Sequence, residues 1–90
     1  MTPVDRAARV ARRGIEAALA LNGIEPALLP GVTAYLLATA LNLPGAAVAR
    51  AAGCTRQNVS KMMRRVEMRR DDPEFDRLLE QLERTIGGQA

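Results

Sequence analysis

The 90-residue chain has no histidine or tryptophan, one cysteine (Cys54) and only two aromatic residues, Tyr35 and Phe75. Without histidine, the usual zinc constellations and every catalytic triad built on imidazole are excluded, and a single cysteine forms no internal disulfide. No segment approaches the roughly 18 consecutive apolar residues of a membrane span, and no charged stretch at the start is followed by an apolar block and a cleavage site. A cytoplasmic protein is expected, with no metal, cofactor, small-molecule substrate or membrane partner. One nucleophile pair remains formally open, Ser60 next to Lys61. Adjacent helical residues diverge by about 100°, which leaves that pair poorly placed to react.

What is present is aliphatic and thin. Hydrophobic residues make up 48% of the chain, and many are alanines. A chain of this length holds one domain with one modest core, so residues 1–90 are read as a single domain, and closely packed helices suit the composition best. Thr2-Pro3 with Asp5 three residues on is a helix start, and Val4, Ala8, Ala11, Ile15, Ala18 and Leu19 carry helical spacing as far as Leu21. Asn22-Gly23 supplies a left-handed stop. Arg6, Arg9 and Arg13 form a second stripe on the same helix, which is either a solvated face with acid partners or a surface that meets DNA.

A short turn of helix is expected from Glu25-Pro26 to Leu29, broken by Pro30-Gly31. The next segment, Val32 to Leu41, has almost no charge and is expected to be the central, most buried helix, with Tyr35 in the core and its hydroxyl satisfied. After Pro44-Gly45 the pattern is a helix to Ala52, a turn at Gly53-Cys54 and a helix from Thr55 to Met68 or Arg69. Asp71, Asp72 and Pro73 then open a last helix with Phe75, Leu78, Leu79, Leu82 and Ile86, stopped at Gly87-Gly88. The fold class is therefore all-α, a compact domain of about five helices containing a helix-turn-helix.

Charge points to function more directly than the net +3 suggests. Residues 50 to 70 carry Arg50, Arg56, Lys61, Arg64, Arg65, Arg69 and Arg70 against Glu67, whereas residues 71 to 90 carry six acids against two arginines. A basic block followed by an acidic one is the pattern of a polyanion-binding surface beside a solubilising tail. Within the block, Gly53 stands where a turn needs positive φ, Cys54 reads as a small buried hydrophobe, and Val59, Met62, Met63 and Val66 share a core face. The opposite face holds Gln57, Lys61, Arg64 and Met68, flanked by Arg56 and Ser60 on one side and Asn58 and Arg65 on the other. Gln and Asn bond adenine edges, Arg and Lys bond guanine, and Thr or Ser reads either, so this face has the donors that major-groove recognition requires.

The stretch Ala51 to Glu67, AAGCTRQNVSKMMRRVE, resembles without gaps the signature of the C-terminal DNA-binding domain of the bacterial replication initiator DnaA. Tyr35-Leu36 resembles the Tyr-Leu of that domain's central helix, and the similarity extends through Leu21-Asn22-Gly23-Ile24 and Leu28-Leu29, covering about residues 15 to 68. By position the resemblance implies base contact by Thr55, Arg56 and Gln57 and a phosphate contact by Asn58, with Lys61 at a backbone-contacting position. Combined with the angular reading, the base-reading set is Thr55, Arg56, Gln57 and Lys61. The phosphate-binding set is Arg50, Asn58, Ser60, Arg64 and Arg65.

The departures imply a different target. Where the family has Arg-Asp-His this chain has Cys54-Thr55-Arg56, and Gln57-Asn58 replaces its threonine pair. The basic loop that reaches the minor groove in DnaA has no counterpart between Leu29 and the central helix, and these residues contain no nucleotide-binding domain. The resemblance therefore implies a transcription regulator, an activator, acting on double-stranded DNA at the nucleoid rather than an initiator. It is similar to the DnaA-like part of gene transfer agent activators of the GafA/GafY type, which implies a sigma-factor-like protein or RNA polymerase as partner. Two other readings compete: a DNA-binding accessory of replication or phage packaging, and a module whose basic face binds an acidic protein.

Overall fold

The computed structural model describes residues 2–87. Five α-helices follow one another: α1 (Pro3–Leu21), α2 (Leu29–Thr39), α3 (Gly45–Ala52), α4 (Arg56–Arg69) and α5 (Pro73–Gly87), with a single 3-10 turn at Pro26–Leu28 before α2. No strand occurs among the described residues. The Cα radius of gyration is 12.2 Å, matching the value of about 12 Å expected of a compact domain of this length.

Local chemistry sets most boundaries. The Thr2 hydroxyl accepts the Asp5 backbone N–H at 3.1 Å and so caps α1, while Gly23 beyond its end adopts φ +76. At the start of α5, the Asp72 carboxylate accepts the Glu74 N–H at 3.0 Å. Each contact satisfies a backbone group that a helix terminus leaves without an internal partner. Asn42, at φ 54, turns the α2–α3 connection, a conformation asparagine tolerates better than most residues.

α2 is the hub. Val32 to Leu37 are buried without interruption, because the helix is enclosed by α1, α3, α4 and α5. Around it, Ile15 and Leu19 of α1, Val48 of α3, Val59 and Val66 of α4, and Leu79 and Leu82 of α5 close the core. Full burial of a Leu or Val side chain contributes about 1.5–3 kcal/mol. The Tyr35 hydroxyl is satisfied by Arg70, whose Nη1 donates to it at 2.9 Å.

The structure corrects the sequence reading at three places. Pro30-Gly31 does not break a helix: both residues lie in the first turn of α2, which begins at Leu29. Proline is tolerated there because a first-turn N–H needs no helical acceptor. Cys54 is half-buried against the core rather than buried. Gly87 belongs to α5, and a Cβ on it would stand 2.2 Å from the Ala40 carbonyl oxygen, so it permits close approach of α5 to the end of α2. Gly88, the other half of the expected stop, lies outside the described residues.

Candidate nucleic-acid interface

α3 and α4 are joined by only three residues, 53–55. Gly53 adopts φ 71 and ψ 32 at the end of α3, and the Cys54 N–H returns to the Ala49 carbonyl at 3.0 Å. Thr55 then takes an extended conformation, and its hydroxyl accepts the Asn58 N–H at 3.1 Å, capping α4. The hydroxyl proton of Thr55 stays available to an acceptor outside the protein.

α4 has two unlike faces. Val59 and Val66 are buried, with Met62 and Met63 half-buried and packed against the core. Thr55, Arg56, Gln57, Asn58, Ser60, Lys61, Arg64 and Arg65 are all exposed, as is Met68. The structure thus brings every expected contact residue of α4 onto the outer surface of one helix or its cap. Arg56 leans toward the start of α3, where a Cβ built on Gly45 would lie 3.7 Å from its Nε.

The cations of residues 50–70 divide by partner. Arg70 is internal to the fold: its Nε donates to Asp76, and Nη1 bonds Tyr35 and, at 3.2 Å, Glu83. The Asp76 hydrogen bond is the main reason its pKa is raised, so it remains cationic throughout the accessible pH range. Arg69 lies 5.5 Å from the centre of the Phe75 ring, within reach of a cation–π attraction. Arg50 donates from Nε to Asp5 at 2.8 Å, joining α3 to α1; this bond holds the Asp5 carboxyl below its ordinary value. Arg56, Lys61, Arg64 and Arg65 have no ion pair with any described acid.

Several of these partnerships escape sequence reasoning. Asp5 and Arg50 are 45 positions apart, and Arg70 is indistinguishable in sequence from the exposed arginines beside it. The acids of α5 are likewise more than a solubilising tail, since Asp76 and Glu83 hold Arg70. The Arg12–Glu16 pair on α1 does carry a signal, the i,i+4 spacing.

Among the described residues there is no group of three or more His, Cys, Asp or Glu able to hold a metal ion, and no helix is long and apolar enough to cross a membrane. Ser60 and Lys61 are both exposed. No protein-family model, curated protein or solved structure matches the chain.

Proposed function

We propose that α3 and α4 act as a helix-turn-helix, that α4 reads double-stranded DNA in the major groove, and that the protein regulates transcription. The observation that carries this reading is the outer face of α4: four cations without an acid partner, interleaved with Gln57, Asn58 and Ser60, on a helix whose other face is locked into the core. Like charges collected on one helix repel one another, so a face built this way calls for an external polyanion. Amide and hydroxyl side chains among the cations supply the directional donors and acceptors that distinguish base edges, which attraction to phosphate alone does not need. The likeness of residues 51–67 to the DnaA signature supports the same assignment.

Thr55, Arg56, Gln57 and Lys61 are assigned to base edges, and Asn58, Ser60, Arg64 and Arg65 to phosphates, with Arg50 reaching the backbone from α3. A sigma-factor-like protein or RNA polymerase is the proposed protein partner. Binding titrations on duplex DNA test the central claim. Neutralising about four phosphates predicts a slope near −3 to −4 for log affinity against log salt, with sequence preference surviving competitor DNA. Equal binding to an acidic protein and to DNA, with no sequence preference, overturns it. Immunoprecipitation of the tagged protein with sequencing of bound fragments identifies the sites, which regulation of transcription requires to lie near promoters.

A further inference from the structure

Outside α4, the strongest unexplained charge lies where α1 meets α3. Arg9, Arg12 and Arg13 of α1 and Arg50 of α3 surround one surface depression whose remaining wall is Ala51, Ala52 and Gly53. Two acids stand nearby, and each is engaged: Glu16 by Arg12 and Asp5 by Arg50. Arg9 and Arg13, both exposed, have no described ion-pair or hydrogen-bond partner. The patch therefore keeps a local excess of positive charge that the fold does not neutralise.

Its position is as informative as its charge. The wall of alanine and glycine carries no long side chain to hold a phosphate backbone away, and a Cβ built on Gly53 would meet nothing within 4 Å. Gly53 is two residues from Thr55, the cap of α4, so the depression adjoins the end of the helix assigned to the groove. In helix-turn-helix docking the first helix of the pair crosses the DNA backbone while the second enters the groove, so phosphates run close to α3.

We infer that Arg9 and Arg13, grouped with Arg50 around the Ala51–Ala52–Gly53 end of α3, form a second phosphate-binding patch that grips the same duplex outside the groove read by α4. The inference rests on the assignment of α4 to DNA. In this arrangement Asp5 engages Nε of Arg50 and partly offsets its charge, while the guanidinium's terminal nitrogens have no described partner. The competing role is internal, with the arginines complementing the negative end of the α3 dipole. That role draws on stability and not on DNA affinity.

The test uses the full chain and a mixed-sequence duplex of about 30 base pairs, on which binding reports phosphate contacts irrespective of base sequence. Affinity is measured by fluorescence anisotropy over a series of salt concentrations for the wild type, Arg9→Gln/Arg13→Gln and Arg9→Lys/Arg13→Lys, with a thermal melt of each. Two lost phosphate contacts lower the magnitude of the log–log slope by about two, at roughly 0.9 per contact; the lysine pair restores it, and the melts coincide. An unchanged slope in the glutamine pair overturns the patch while leaving α4 as the reading helix, and a lowered melting temperature with that unchanged slope assigns the arginines to the α3 terminus. Absence of salt-dependent binding by the wild type overturns the DNA assignment itself, and the patch with it.

Discussion

The two sides of the molecule treat charge in opposite ways. Where α5 covers α2, Arg70 is held by Asp76, Glu83 and the Tyr35 hydroxyl. On the outer face of α4, Arg56, Lys61, Arg64 and Arg65 stand exposed without acid partners. Similar residues thus do different work, fastening elements together on one side and presenting positive charge to solvent on the other. The lesson is that net charge per segment is a poor guide. Of seven cations between residues 50 and 70, Arg50, Arg69 and Arg70 have partners within the fold, and the binding case rests on the remaining four.

The largest expected effect falls on the scaffold. Leu36, at the centre of α2, is fully buried, and Leu36→Ala is expected to destabilise the protein by about 2–5 kcal/mol through lost burial and a residual cavity. That is a large share of the roughly 5–15 kcal/mol available to a domain of this kind. Lys61→Ala, on the other side, is expected to stay within about 0.5 kcal/mol of the wild type. Thermal and urea melts of the two variants measure the contrast, and a Lys61→Ala protein as unstable as Leu36→Ala breaks it.

Next in size is the joint between α3 and α4. Gly53→Val forces a β-branched side chain into φ 71, at an expected cost of about 1–3 kcal/mol. Space is not the difficulty, since nothing lies within 4 Å of the added Cβ. Gly53→Asn is therefore expected to be the milder change, because asparagine tolerates the left-handed region. Equal melting temperatures for the two variants argue that the left-handed backbone conformation is not what selects glycine here.

Binding variants sharpen the comparison within α4 itself. On a selected cognate duplex, Gln57→Ala is expected to weaken binding by about 1–3 kcal/mol, relax discrimination at one base pair and leave the salt slope nearly unchanged. Arg64→Ala is expected to weaken cognate and scrambled duplexes alike and reduce the slope magnitude by about one. Equal weakening of both duplexes by Gln57→Ala removes the proposed base reading.

How far the sequence could be read follows from the range of each interaction. Thr2 at a helix start, Thr55 at the head of the next-to-last helix, Gly23 and Gly53 in the left-handed region, and the apolar face Val59–Met62–Met63–Val66 are local signals, and the structure has them as expected. Pro30 misleads because proline breaks a helix interior but suits its first turn, and the sequence alone does not say which turn it occupies. The internal partners of Arg50 and Arg70 are not legible for a different reason. Whether an arginine is structural or available depends on acids brought close by folding, as Asp76 and Glu83 are to Arg70 and Asp5 is to Arg50. The outer face of α4 is legible because its eight candidate residues lie within one helix and its cap, whereas the patch of Arg9, Arg13 and Arg50 joins α1 to α3 and appears only in three dimensions.

The smallest expected effect lies at the boundary between the two regimes, where the Asp5–Arg50 pair is both a fastening between α1 and α3 and a neighbour of the proposed phosphate patch. The Asp5 side chain is 13% exposed and that of Arg50 57% exposed, so solvent screens the pair from one side and its contribution to stability is modest. Its sign is fixed by linkage. The hydrogen bond from Arg50 lowers the Asp5 pKa in the folded state, so the stabilisation is fully present above the unfolded-state value of about 4 and is lost as pH falls through the lower folded-state value. Asp5→Asn is accordingly expected to melt slightly below the wild type at neutral pH, with the gap closing in acid below about pH 4. The same substitution removes a negative charge beside Arg9 and Arg50 and is expected to strengthen binding to mixed-sequence DNA. Melts across that pH range, paired with anisotropy titrations at neutral pH, separate the two roles. A gap that persists in acid shows that the carboxylate–guanidinium pair is not its source, and unchanged DNA affinity shows that the patch does not feel the Asp5 charge.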